Sequence, residues 1–183
     1  KLFANAKQYW VARLDTLPEA PQLPLAKQPS EILHPTFERR HFRLQKHRWK
    51  ALQKQASKHG VTPTVMVLTL FSAVLRQWCK NDSFTLNLTL FNRLPLHEHV
   101  NHILGDFTSL TLLQIDTQSN DTLQSAAKRI QQQLWNDLEH RVFGGMDVLR
   151  ALNAHEGRIQ AANMPIVFSS TLGLNEGDAK EEE

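Results

Sequence analysis

A chain of 183 residues sits at the upper end of the usual single-domain range of about 100–200 residues, so one core is the expectation. With 41% apolar and 21% charged residues, its composition is ordinary globular usage, which argues against disorder, a collagen-like repeat or a coiled coil. The net charge of +3 is too small to imply a polyanionic partner by itself.

In chain order, the opening KLFANAKQYWVARL reads as a helix and lacks the order of a signal peptide. It runs into LPEAPQLPLAKQP, where Pro18, Pro21, Pro24 and Pro29 remove backbone donors and favour an extended connector, read as a tether rather than a core element. Phe42 and Leu44 alternate with polar residues as in a short strand. Trp49, Leu52 and Ala56 then mark one face of a helix ending at Gly60. The basic run Arg39, Arg40, Arg43, Lys46, Arg48, Lys50, Lys54 and Lys58 lacks the aromatic stacking pattern of a nucleic-acid binder and is read as a solvated face. Thr62-Pro63 has the form of a helix cap with proline at the first position. From Val65 to Cys79 apolar residues lie on nearly every side, which predicts a central helix.

Three strand-like stretches follow, Phe84 to Phe91, Phe107 to Ile115 and Pro165 to Thr171. In the first, Phe84, Leu86, Leu88 and Leu90 take one face and Thr85, Asn87 and Thr89 the other. Leu123, Ala127, Ile130, Leu134 and Leu138 recur at helical spacing after an Asp121/Gln124 capping pair. A shorter helix follows Gly144-Gly145. Strands interleaved with helices give an α/β layered domain. No apolar run reaches the roughly 18–20 residues of a bilayer span, so the expectation is a soluble, cytoplasmic protein without membrane contact. The single cysteine, Cys79, excludes an internal disulfide framework and a CxxC zinc site.

Steps of 100° per residue put Asp137 within the arc of Leu123, Ala126, Ile130 and Leu134, with Arg141 nearly above it. An ion turned toward apolar groups must find hydrogen bonds, pair with a cation or titrate upward. Two solutions are open: an Asp137–Arg141 pair at i,i+4, or a catalytic acid or base. Thr108, at the head of its strand, is either structural or functional. His97, His99 and His102 are read as solvent-facing loop residues, since a metal site needs more ligands and outer support. Cys79 is read as an inert packing thiol. The GxSxG elbow, the P-loop and the glycine-rich dinucleotide turn are all absent from the sequence, so hydrolase, ATPase and dehydrogenase readings lose their usual support.

Three stretches, LPEAPQLPL at 17–25, GDFTSLTLLQID at 105–116 and PIVFSSTLG at 165–173, with LWNDLEH at 134–140 between the last two, together resemble the heterocyclization subtype of nonribosomal peptide synthetase condensation domains. The resemblance implies an α/β, chloramphenicol-acetyltransferase-like fold with a mixed sheet packed by helices, of which this chain is the C-terminal lobe. Residues 1–30 are then an opening helix and Pro-rich connector, 31–175 the lobe core and 176–183 an acidic tail. It also implies that an acyl group and a cysteine, serine or threonine are joined as an amide and cyclodehydrated to a thiazoline or oxazoline, as in siderophore biosynthesis. The alternatives are a simple amide-forming condensation domain and a non-catalytic lobe that only docks carriers.

The catalytic positions of the family fall on Thr108 and Asp137, and Asn87 and Ser170 fall on segments that line its substrate tunnel. No cofactor is expected to bind directly, since substrates arrive on the phosphopantetheine of carrier proteins. The implied partners are upstream and downstream peptidyl carrier domains and the missing N-terminal lobe of the same domain. Without that lobe the chain is expected to be inactive, and no metal or nucleic acid is expected. Asp116 and Asp121 imitate the family's DxxxxD spacing but are read as a turn and a cap. Gly144 stands where relatives commonly have serine, and Ser169 where threonine is usual.

Overall fold

The computed structural model describes residues 1–94, 97–118, 120–155 and 163–172. Its core is a three-stranded mixed sheet in the order β2-β1-β3, with β1 at Phe84–Phe91, β2 at Thr108–Ile115 and β3 at Val167–Ser169. β1 pairs antiparallel with β2, from Phe84↔Ile115 to Phe91↔Thr108, and parallel with β3 through Asn87↔Val167 and Thr89↔Ser169. The alternation of β1 therefore sorts its residues onto two different packing layers.

On one face, Phe84, Leu86, Leu88, Leu113 and Ile115 pack with Val65 and Leu68 of α3 (Pro63–Trp78) and with Ala127 and Ile130 of α4 (Leu123–Glu139). On the other, Leu112 packs with Ala6 and Trp10 of α1 (Leu2–Val11) and with Val148 and Leu152 of α5 (Gly145–His155). Two apolar layers around one sheet make the α/β class expected from the alternating elements. Gly145 lies so close to β2 that a Cβ there would sit 3.1 Å from the Leu110 carbonyl carbon and oxygen, so α5 begins against the strand backbone.

Local signals explain most boundaries. The helix α2 (Lys46–Lys58) closes where Gly60 takes φ +67° and the Val61 N–H reaches the Ala56 carbonyl at 2.9 Å. Thr62 caps α3 by accepting from the Val65 N–H at 3.3 Å, with Pro63 as its first residue. Gln131 fastens this turn to α4, accepting from the Thr62 N–H and donating to the Gly60 carbonyl, both at 2.8 Å.

Several expectations are corrected. Phe42 and Leu44 lie in exposed chain without a strand, because alternation gives only the capacity to pair and no neighbouring strand meets them among the described residues. The third strand shortens to Val167–Ser169. The cap of α4 is Thr122 with Ser125, one residue on from Asp121 and Gln124. Leu70, Val74 and Trp78 face outward, so α3 is covered on one side rather than all round. The Pro-rich segment is more than a tether, since the Pro18 carbonyl accepts from the Thr85 hydroxyl at 2.6 Å and the Glu19 carbonyl from the Thr85 N–H at 2.9 Å. Pro21 is buried in the same stretch. The acidic tail at 176–183 lies outside the described residues. Among the described residues no single helix is long and apolar enough to cross a membrane.

Candidate functional site

The helical spacing of α4 turns Asp137 inward as expected, and its side chain is 0% exposed. Its partner is a different cation. Arg13, just beyond α1, donates to Asp137 Oδ1 at 2.6 Å, and the Tyr9 hydroxyl and Gln133 Nε2 donate to the same oxygen at 2.7 and 2.9 Å. Arg141 instead donates to Asn92 Oδ1 at 3.1 Å and to the Leu138 carbonyl. The i,i+4 pair fails because the α4 turn ends at His140, which sends Arg141 toward β1 while α1 supplies a nearer guanidinium.

The cluster closes over the edge of the sheet. Gln114 shares the α1 face with Leu112, yet Arg13 Nη2 reaches Gln114 Oε1 at 3.2 Å while Nη1 holds the aspartate on α4. The Tyr9 oxygen accepts from Arg13 Nη1 at 2.7 Å and from Gln133 at 3.2 Å, and its ring stacks on His140 with centroids 3.9 Å apart. The Arg13 guanidinium carbon lies 4.9 Å from the ring centres of Tyr9 and of Trp10, which is cation–π distance. Three donors thus converge on Oδ1, whereas Oδ2 is buried and takes no hydrogen bond from the protein.

Electrostatically, burial pushes the Asp137 carboxyl above the ordinary carboxylate value, and Arg13, Tyr9 and Gln133 oppose the shift without cancelling it. Burial and the neighbouring carboxylate push the Tyr9 phenol up to about 12, so it stays a donor.

Thr108 opens β2 on the α1/α5 face, opposite Phe91, and is exposed. Its backbone N–H donates to Asp106 Oδ1 at 2.7 Å, and its side chain also bonds Asp106, which holds that carboxyl below its usual range. No hydrogen bond joins Thr108 to Asp137. Arg141, one helical turn beyond Asp137, bonds Asn92, whose N–H donates to the Phe107 carbonyl at 2.9 Å beside Thr108, a path that does not include the Asp137 carboxyl.

Asn87 shares the Thr108 face and is 7% exposed, with Oδ1 buried and unpartnered. Ser170 follows β3 half-buried and accepts from the Leu172 N–H at 3.3 Å. Ser169, paired with Thr89, is the residue of that segment on the Asn87 face.

Asp121 pairs with Arg129, and Asp116 Oδ1 accepts from the Ser83 hydroxyl at 2.9 Å. The rings of His97 and His99, and of His99 and His102, contact one another at 5.3 and 5.9 Å, and among the described residues no group of three metal-ligating side chains gathers. Cys79 ends α3 with its thiol pushed up by burial. A cavity of about 110 Å³ is lined by Gln114 and Gln133 beside the Asp137 cluster, while an apolar one of about 450 Å³ lies away from it between α2, α3 and the start of α4.

Comparison with known proteins gives the class. The chain belongs to the condensation-domain family, whose pattern matches residues 1–183. It is 39% identical over 178 residues to bacitracin synthase 1 of Bacillus licheniformis, covering 97% of this chain and 3% of that protein. It is 40% identical over 178 residues to pyochelin synthetase PchF of Pseudomonas aeruginosa, covering 94% of this chain and 10% of the relative. To phenyloxazoline synthase MbtB of Mycobacterium tuberculosis it is 34% identical over 170 residues, with 93% and 12% covered. The chain thus spans only a small part of these synthetases. In three dimensions it is similar to the EpoB cyclization-docking bidomain of the nonribosomal peptide synthetase from Sorangium cellulosum, with TM-score 0.83, 39% identity and coverage of 94% of this chain and 35% of that one. Its fold is accordingly the condensation-domain fold, and its likeness is to the cyclization type.

The residues that sequence reasoning missed are Tyr9, Arg13, Gln114 and Gln133. The one available signal was the four-residue spacing of Tyr9 and Arg13, which puts a phenol and a cation on one side of the opening helix.

Proposed function

We propose that this chain is one lobe of a heterocyclization domain that joins a carrier-bound acyl group to a carrier-bound cysteine, serine or threonine and then closes a thiazoline or oxazoline ring. In the first step the amine attacks the acyl thioester, forming an amide and releasing the carrier thiol. In the second, the side-chain sulfur or oxygen attacks the amide carbon, the C=O π bond opens and the nucleophile's proton passes to the carbonyl oxygen. The resulting hydroxyl leaves as water with a proton from Asp137, the nitrogen gives up its proton as the C=N bond forms, and that proton restores the acid through solvent.

The supporting observation is the Asp137 carboxyl, fully buried, with Oδ1 held by three donors and Oδ2 unpartnered. A proton donor for departing hydroxide needs a pKa raised toward the working pH, and burial gives that direction. The exposed Thr108 hydroxyl meets the substrate and orients the leaving oxygen, and Asn87 and Ser170 line the path of the pantetheine arms. Substrates come on the phosphopantetheine of flanking carrier domains, and the lobe alone does not turn over because the opposite wall of the site belongs to the other lobe.

In the intact domain, Asp137→Asn is expected to leave condensation running while ring closure stops, read by mass spectrometry of carrier-bound product as the linear amide. Unchanged heterocycle yield removes the assignment. A second reading has a specific observation behind it. The 2.6 Å Arg13–Asp137 contact ties α1 to α4, and if that tie is all Asp137 does, the variant loses condensation and cyclization together with fold stability.

A further inference from the structure

We infer that Arg93 is a positioning residue for Thr108: it fastens the loop between β1 and β2 and so fixes the backbone from which the Thr108 hydroxyl meets substrate. This rests on the reading of Thr108 as the group that orients the leaving oxygen, and adds what holds it in place. Thr108 is exposed, so a substrate can reach it.

The connection from Asn92 to Phe107 is far longer than the roughly two to five residues that usually join adjacent antiparallel strands. A loop of that length has no fixed place unless side chains give it one. It has little core to rest on, since His97, Glu98, His99, His102, Ile103 and Leu104 are all exposed. Arg93 supplies an anchor from inside the loop. Its Nη1 donates to the Val100 carbonyl and, at 2.9 Å, to the Ile103 carbonyl, around the short helical turn Val100–His102, whose carbonyl end favours a cation. Its guanidinium carbon lies 3.9 Å from the ring centre of Phe107 and 5.6 Å from that of Phe91, cation–π distance to both. Phe91 is the residue paired with Thr108 across the strands, and Phe107 is the residue before it. One side chain therefore grips the loop, the strand that enters it and the residue that leads into Thr108.

The peptide unit between Phe107 and Thr108 is held from both sides as well. Its oxygen accepts from the Asn92 N–H at 2.9 Å, and its N–H donates to Asp106 Oδ1 at 2.7 Å. Asn92 is itself held by Arg141, which donates to its Oδ1 at 3.1 Å. A peptide unit is planar, so these two bonds set its plane, and the Arg93 contact with the Phe107 ring adds a third point. A pin serving the core joins buried elements. This one orders an exposed loop whose best-held point is the residue preceding Thr108, so its loss should fall on Thr108 more than on the fold.

The test uses the intact domain with its loaded carrier domains and follows linear amide and ring product separately. Arg93→Met keeps an unbranched apolar chain against Phe107 and removes the charge and the donors; Arg93→Lys keeps the charge and a donor. Arg93→Met is expected to slow ring closure at least about tenfold, within the roughly hundredfold that a 1 Å misplacement can cost, with condensation retained and the denaturation midpoint close to wild type. Arg93→Lys should recover part of the rate. Because Arg93 acts through Thr108, the double variant Arg93→Met/Thr108→Ala should close the ring no more slowly than Thr108→Ala alone. If Arg93→Met closes the ring at the wild-type rate while Thr108→Ala slows it, the positioning role is overturned and the reading of Thr108 stands. Losses that multiply in the double variant also overturn it, by giving Arg93 an effect of its own. Equal loss of both steps together with a lowered midpoint overturns it by making Arg93 a structural pin. If Thr108→Ala closes the ring normally, the reading of Thr108 itself has failed.

Discussion

At the start of α4, Asp121 meets Arg129; at its end, Asp137 meets Arg13. The residue types are the same and the outcomes are opposite. Arg129 grips both oxygens of Asp121, with Nη1 on Oδ1 at 2.9 Å and Nη2 on Oδ2, and holds that carboxyl far below its usual range. Arg13 touches one oxygen of Asp137, whose carboxyl rises. In the first pair the hydrogen bonds, led by the one from Arg129, outweigh the opposing desolvation. The second is out of water, so burial outweighs the arginine. The teaching is that a guanidinium beside a carboxylate does not by itself say which way the acid titrates.

The largest expected effect comes from breaking the buried pair. Arg13→Ala in the intact domain breaks a buried pair and strips Asp137 of its one cation, and should lower stability by up to about 3–5 kcal/mol, measured by denaturant unfolding. Arg129→Ala, at a partly exposed site, should lower it by about 1 kcal/mol or less. Similar losses from the two would mean that burial does not separate the pairs.

The pH dependence sharpens the same contrast. The Asp121 carboxyl is lowered on folding, so its contribution is complete above the unfolded value near about 3.9 and is lost as pH falls through the folded one. The Asp137 carboxyl is raised, so its contribution is complete below about pH 3.9 and is lost as pH rises through the folded value. Stability measured against pH should therefore lose an acid-side decline in Asp121→Asn and a decline on the rising side in Asp137→Asn. If both variants change the slope in the same direction, one of the two assignments is wrong.

What the sequence could carry divides along the same line. The inward turn of Asp137 follows from helical spacing, and the two faces of β1 follow from period-two alternation, because each is a property of one element. The identity of the cation does not. Arg13 lies 124 positions upstream, and only the folded path of α1 past the edge of β2 selects it over Arg141. Phe42 and Leu44 mark the same boundary, since their alternation is real but a strand exists only when another strand pairs with it. Thr108 was legible as the head of β2, and its bond to Asp106 follows from the turn before it. The unmatched oxygens of Asn87 and Asp137 were not legible, because they depend on what neighbouring elements fail to supply.

The smallest expected effect concerns the role of Asp121 itself. Thr122, not Asp121, caps α4: its hydroxyl accepts from the Ser125 N–H at 3.1 Å, and the Ser125 hydroxyl accepts from the Thr122 N–H at 3.0 Å. A cap acts on the orphan donors of the first turn, whereas Asp121 accepts chiefly from Arg129, with the Gln118 N–H at 2.9 Å and the Ser125 hydroxyl at 3.1 Å beside it. Thr122→Ala should then cost about 1 kcal/mol with the acid-side slope unchanged, because the ion pair survives. Gln124→Ala, which touches neither the cap nor the pair, should cost nothing measurable. If Gln124→Ala costs as much as Thr122→Ala, the first turn is stabilised by something other than this reciprocal pair, and the low titration of Asp121 can no longer be separated from its position at the helix start.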